Sequence, residues 1–138
     1  MSQQPRKKAV PEGLREEMQP QPFPVEGLGL QLYATSTDLD RIQDAMEVDG
    51  MLVVMNRLLR ADMTAINAAA QHCLMYSDRT AWSGDVDTLP VGTMELGALL
   101  ADAVHRRLFG TSLELDKPIK GAIEAINARR QSRGAADA

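Results

Sequence analysis

Aromatic residues and cysteine are scarce in this chain of 138 residues, and long apolar runs are missing. Aromatics make up 4% of the sequence, so a core must be built from aliphatic side chains, alanine and methionine. Such a core suits helices packed on helices better than a β-sandwich. The single cysteine, Cys73, excludes an internal disulfide and favours a reducing compartment. No apolar stretch approaches the roughly 20 residues of a membrane span, and the first residues lack a secretion signal, so we expect a cytoplasmic protein without a membrane segment.

Positive charge is sparse in the middle of the chain. Residues 35–110 hold eleven acidic and six basic side chains, whereas residues 1–24 and 111–138 are slightly basic. An acidic body repels a phosphate backbone, which disfavours nucleic-acid binding through the body and leaves open only an unspecific contact through Arg6, Lys7 and Lys8. The hydrophobic fraction of 44% and the charged fraction of 25% are those of an ordinary globular protein.

Three segments of the chain differ in composition. Residues 1–24 hold five of the seven prolines together with four glutamines. Because proline fixes φ and removes a backbone donor, we predict an extended or disordered arm there. Residues 25–130 are predicted to form a helical domain, and residues 131–138 a flexible tail. Where the domain begins, leucines at 28, 30 and 32 alternate with glycine or glutamine, which predicts one short strand-like segment or an extended segment pinned by its leucines.

Helical periodicity dominates the rest of the sequence. It predicts a mostly α fold, a compact bundle of about five helices preceded by the arm and the strand-like segment. Thr37, Asp62 and Thr93 are predicted to cap the first, third and fourth helices, and Gly110 to end the fourth. The first helix is predicted to end near residues 48–50, and the others to cover residues 51–60, 63–76, 94–109 and 118–130. The second is apolar on most sides, which predicts a central position.

Few polar residues stand at spacings that suggest catalysis or metal binding. His72 and Cys73 are neighbours, but adjacent helical residues point about 100° apart, so a core thiol beside a partly exposed imidazole explains them better than a catalytic pair. Asp102 and His105 share a helix face with Glu95. A metal site usually needs three or four ligands, however, and a solvated polar stripe accounts for the same residues.

Two loops contain fragments of binding motifs. Gly27 and Gly29 lack the third glycine and the following helix of a phosphate-binding loop. Asp85 and Asp87 lack the register and the closing glutamate of a calcium loop, so a capped turn is the better interpretation. With no triad, paired carboxylates or cofactor motif, we predict a protein that is not an enzyme and uses no cofactor or metal.

Apolar helical faces are the features that predict a function. An isoleucine-rich stripe on the last helix has the spacing of an amphipathic helix, and we predict that it binds another protein chain. Six of the eight methionines lie between residues 46 and 94. Met-rich faces accept varied partners, although filling of an aromatic-poor core is the alternative. The predicted partner-binding residues are Ile119, Ala122, Ile123, Ile126, Met51 and Met55. Association into a homo-oligomer stays open.

The order of elements over residues 28–110 resembles the tail assembly chaperones of long-tailed bacteriophages and of phage-like gene transfer elements. The shared parts are a leucine-rich lead-in (30–33), a helix ending in an acidic turn (39–50), a short apolar helix (51–59), an alanine-rich helix (61–73) and, after a polar loop, a helix ending in Arg-Leu-Phe-Gly (107–110). The resemblance implies a small, acidic, helical protein of the host cytoplasm that binds tape-measure and tail-tube proteins. It also implies that no cofactor is used and that the protein leaves before the particle is finished.

Two other functions are weighed beside this one. The chain is alternatively a structural subunit of a virion or another large particle, a connector or decoration protein whose residues 1–24 lie on neighbouring subunits. A third reading is a small regulator in which residues 51–60 and 63–76 form a helix-turn-helix. The recognition helix of such a regulator would contain no lysine or arginine, which is poor material for reading the major groove.

Overall fold

A computed structural model describes residues 10–136, with side chains up to residue 133. Within these residues the chain forms five α-helices and one antiparallel sheet of three short strands. The helices are α1 (Ser36–Met46), α2 (Met51–Leu59), α3 (Met63–Cys73), α4 (Thr93–Phe109) and α5 (Lys117–Ala136), and the strands are β1 (Gln21–Pro22), β2 (Leu30–Leu32) and β3 (Leu74–Tyr76). The predicted mostly α fold is confirmed, and the single strand-like segment is the middle strand of a sheet.

Local capping sets several of the helix boundaries. Asp62 caps α3 as predicted, because its carboxylate accepts hydrogen bonds from the first-turn backbone amides. Gly110 ends α4 as predicted, in the left-handed conformation with φ of 74°. The predicted cap of α1 was wrong. Thr35 rather than Thr37 is the N-cap, since the Thr35 hydroxyl accepts from the amide of Asp38 (3.1 Å) while the Asp38 carboxylate accepts from the amide of Thr35 (2.8 Å). The predicted cap of α4, Thr93, is instead its first helical residue.

The third helix is shorter than predicted because its last three residues form β3. Leu74 lies opposite Leu32 and Tyr76 opposite Leu30 in an antiparallel ladder. A short apolar run satisfies both the helical and the strand period, so periodicity alone did not separate them. The need of β2 for a partner strand decides the conformation.

The described part of the predicted arm, residues 10–24, lies against the domain. β1 pairs with the free edge of β2, and the Phe23 side chain is buried. Arg107 of α4 donates to the carbonyls of Ala34 (2.6 Å) and Met18 (3.4 Å), and its guanidinium lies 5.3 Å from the centre of the Tyr33 ring. A separate arm is therefore not confirmed over these residues, while residues 1–9 lie outside the described part of the chain.

Helices α3 and α4 form the centre of the domain. α4 contacts α2, α3 and α5, and α3 contacts α1, α2 and α4. All nine residues 96–104 of α4 are buried. α5 does not end at the arginines but continues through residues 131–136, where a flexible tail was predicted. Across residues 10–136 there is no helix that is both long enough and apolar enough to span a lipid bilayer.

Candidate protein-binding surface

The two sides of α2 have different surroundings. Val54, Met55 and Leu58 point inward and are buried. On the opposite side the exposed fractions are 68% for Leu52, 46% for Val53 and 42% for Leu59. The prediction that α2 is central is therefore correct for one side only. The side that points away from the domain is called the α2 outer face, and its members are Leu52, Val53, Asn56, Leu59 and Arg60.

A glycine on α4 permits a close contact with the inner side of α2. A Cβ atom at Gly97 would overlap the backbone carbonyl of Leu58 and also touch the Ile66 side chain at 3.5 Å. Only glycine lets the two helix backbones approach this closely. Leu58 is fully buried at the contact. Because α2 is held against α4 on this side, its outer face is turned to solvent.

Two further exposed apolar side chains are methionines on the neighbouring helices. Met63 opens α3 and Met94 lies in the first turn of α4, and both side chains are exposed. Met63 also lines a pocket of about 110 Å³ at the start of α3 and α4. Its lining residues are Met63, Ile66, Val86, Asp87, Leu89, Val91, Thr93 and Leu96. Ligand sites usually measure about 300–1,000 Å³, so this is a recess suited to a side chain rather than to a cofactor.

The charged residues at the two ends of α2 differ in sign. Asp49 precedes the helix and Arg60 follows it, and both are exposed. In the described part of the chain neither belongs to an ion pair. Arg57 is already engaged, because its Nε lies 2.8 Å from the Asp62 carboxylate. The hydrogen bond from Arg57 is the main reason why the pKa of Asp62 lies below its ordinary value.

The predicted partner-binding residues are mostly turned toward the core. Ile123 is 7% exposed and Met55 is also buried. Ile119, Ile126 and Met51 are partly buried against the core, and Ala122 is partly buried. A role for these six residues in partner binding stays a prediction. In this arrangement Ile123 reaches a partner only if α5 moves.

α5 is also held in place by hydrogen bonds to the segment before β2. The Asn127 side-chain amide accepts from the backbone amide of Glu26 and donates to the carbonyl of Pro24, both at 2.9 Å. Arg130 donates to the Glu26 carbonyl at 3.2 Å. This pairing satisfies backbone groups that would otherwise need water. It makes α5 part of the domain rather than an appendage.

Asp102 and His105 position the turn after α4. Asp102 is 5% exposed, accepts from the amide of Leu113 at 2.7 Å and pairs with Arg106 at 2.8 Å. Burial raises the pKa of Asp102 above its ordinary value, although both of these contacts act in the opposite direction. His105 Nδ1 lies 2.7 Å from the carbonyl oxygen of Thr111. The predicted solvated stripe is therefore wrong for Asp102, which is buried and anchors the turn.

The other candidate residues also have structural surroundings. Cys73 is fully buried, whereas His72 is partly exposed. Asp85 accepts from the amide of Asp87 at 3.0 Å and caps the short 3₁₀ helix Val86–Thr88, so the capped-turn interpretation is confirmed. Between residues 10 and 136 no three His, Cys, Asp or Glu side chains converge in a way that would hold a metal ion.

Comparison of the chain with protein-family models, with curated proteins and with solved structures finds no match. The resemblance of residues 28–110 to tail assembly chaperones therefore stays a prediction. The feature that sequence reasoning missed is the α2 outer face. The available signal was the number of large apolar residues in α2, because one side of a nine-residue helix cannot bury them all.

Proposed function

We propose that this protein is a non-catalytic assembly factor that holds another polypeptide through the α2 outer face, in the manner of a phage tail assembly chaperone. The observation that carries the proposal is the exposure of Leu52, Val53 and Leu59 on a helix whose other side is packed against the core. Single exposed leucines are common in globular proteins. Several large aliphatic side chains on one side of one helix form a patch of the kind that marks a protein contact.

The chemistry of this face suits an apolar helical client. Leu52 and Leu59 are separated by two helical turns, so both lie along one line on the surface. A client helix with apolar residues at the same spacing would cover them, and Arg60 would pair with an acidic residue of the client. Full burial of one such aliphatic side chain contributes about 1.5–3 kcal/mol, whereas association costs several kcal/mol. Binding of the client is therefore expected to be weak and reversible, as its release requires.

The fold gives less support to the two alternative functions than to the proposed one. A particle subunit was predicted to lay residues 1–24 on its neighbours, but residues 21–24 pack on their own domain through β1 and Phe23. A helix-turn-helix regulator needs an exposed recognition helix. α3 buries six of its eleven residues, so it has little surface to place in a groove.

Affinity purification from the cell that encodes the protein tests the proposal. The wild-type chain, Leu52→Asp and the matched control Asn67→Asp would each be tagged, captured and analysed by mass spectrometry. Asn67 is exposed on α3, so its substitution adds the same charge away from the α2 outer face. We expect a tape-measure or tail-tube protein with the wild type and the control, and its loss with Leu52→Asp.

Two results would contradict the proposal. One is a wild-type capture without any such client, and the other is equal recovery of the client with Leu52→Asp. Purified particles provide a separate measurement. A stoichiometric amount of this chain in finished particles would favour the structural subunit, whereas its absence agrees with a chaperone that leaves.

A further inference from the structure

The α2 outer face is complementary to itself. Leu52 and Leu59 lie at equal distances on either side of a point between residues 55 and 56, with Asn56 next to that point. Asp49 lies beyond the N-terminal leucine and Arg60 lies beyond the C-terminal one. All of these side chains are exposed. A surface with this order of acidic, apolar and basic groups matches its own copy when one copy is reversed.

A two-fold axis through this point would bring the matching groups together. In an antiparallel pair of α2 helices, Leu52 of each copy would face Leu59 of the other copy. Asp49 lies outside the helix, just before the N-cap Gly50, and an antiparallel pair would place it at the same end as Arg60 of the other copy. A parallel pair would instead place each charge beside its own kind.

We propose that a second copy of this chain occupies the α2 outer face, in a two-fold antiparallel contact between the α2 helices. This inference rests on the proposed function, because it fills the surface assigned there to a client. Self-pairing covers Leu52, Val53 and Leu59 while no client is bound, and a client then competes with the second copy. Isologous contacts of this kind are the commonest way in which proteins form dimers.

The charged residues determine the relative orientation of the two copies, and the apolar residues provide most of the affinity. Arg57 already pairs with Asp62, whereas Arg60 and Asp49 form no ion pair in the part of the chain that the structure covers. Both are exposed, and ion pairs at such positions add little affinity. Charge complementarity mainly sets register and excludes wrong orientations. The expected dimer is therefore weak but has a defined geometry.

Cross-linking of the full chain tests the position of the axis. Asn56→Cys places a thiol next to the proposed axis, and Asn67→Cys places one on an exposed part of α3. The native Cys73 is buried and serves as an internal blank. With a short thiol-specific cross-linker, we expect a covalent dimer of Asn56→Cys and only monomer for Asn67→Cys. Equal yields from the two variants would overturn the proposed contact.

Charge reversal tests the antiparallel orientation. Asp49→Arg and Arg60→Asp should each raise the dimer dissociation constant about three- to tenfold, as measured by sedimentation at several concentrations. The double variant recreates both pairs with opposite polarity, so its constant should return to within about twofold of the wild type. A double variant that is weaker than either single variant would overturn the proposal. Thermal unfolding of each variant shows that the fold is kept.

The inference and the proposed function fail in different ways. A wild-type chain that stays monomeric at every concentration, while Leu52→Asp still loses its client, contradicts the dimer and leaves the proposed function. A dimer that dissociates in Leu52→Asp, while that variant still retains the client, contradicts the use of the α2 outer face for the client and leaves the dimer.

Discussion

The two helices that were predicted to bind a partner, α2 and α5, use their apolar residues in opposite ways. α5 has a regular stripe, and Ile123 at the centre of that stripe is buried in the domain. α2 has apolar residues on nearly every side, and three of them, Leu52, Val53 and Leu59, are left in solvent. A regular stripe thus identified the side of a helix that faces its own core. An excess of apolar residues identified a helix that leaves one apolar face exposed.

The difference has a structural origin. α5 packs on α4 and is also tied to the segment before β2 through Asn127. α2 is held on its inner side, where it contacts α1, α3 and α4 and where Gly97 lets the backbone of Leu58 come close. Within the described residues its outer face is left exposed. Three predictions test this contrast and a fourth tests the turn that leads into α5, in order of decreasing effect.

An aspartate substitution in each helix should give the largest difference in stability between α5 and α2. Ile123→Asp places a carboxylate in a buried position without a partner, and we expect the free energy of unfolding to fall by about 4 kcal/mol or more. Leu52→Asp leaves the carboxylate in water, and we expect a change below about 1 kcal/mol. Urea unfolding followed by circular dichroism measures both values. Equal losses would show that Ile123 is not packed in solution.

Substitution of the neighbouring residues Leu58 and Leu59 compares the contributions of the inner and outer sides of α2 to stability. Leu58→Ala removes a fully buried side chain, and we expect a loss of about 2–5 kcal/mol in the free energy of unfolding. Leu59→Ala makes the same chemical change at an exposed position, and we expect a loss below about 1 kcal/mol. Chemical denaturation gives both numbers, and a larger effect of Leu59→Ala would reverse the assignment of the two sides.

Two glycine-to-alanine changes test the close contact between α2 and α4. Gly97→Ala forces the helices apart, and overpacking of this kind costs about 1–3 kcal/mol. Gly121 in α5 has open space where a Cβ would lie, so Gly121→Ala should stabilise the protein by about 0.5–1 kcal/mol through helix propensity. The midpoint Tm should fall for the first variant and rise for the second. A rise of Tm in both would exclude the close contact.

The smallest expected effect is a pH dependence at the turn between α4 and α5. Because burial raises the pKa of Asp102, the folded state binds this proton more tightly than the unfolded state, whose pKa is close to 3.8. The stability contributed by this group is fully present below 3.8 and is lost as the pH rises through the folded pKa. The free energy of unfolding of the wild type relative to Asp102→Asn should therefore increase as the pH falls from neutral toward 3.8.

A slope of opposite sign for Asp102→Asn would mean that the Arg106 and Leu113 contacts outweigh burial.

The helices followed from the sequence because helix formation is local. The period of apolar residues located all five, and the caps at Asp62 and Gly110 were found from residue type alone. The cap at Thr35 was missed because Thr37 also precedes an apolar run and has acidic neighbours. The strand Leu74–Tyr76 was missed because its pairing depends on β2, which lies far away in the chain.

The chain alone therefore determined the helical class of the protein, the apolar character of α2 and α5, and the lack of an evident catalytic motif. Only the tertiary structure decided that Ile123 faces inward while Leu52 and Leu59 face water, and that Asp102 is buried at a turn. The physical reason is that periodicity and capping act over a few residues. Burial depends on which distant backbone comes close, and here a glycine in α4 permits close approach to the side of α2 that is buried.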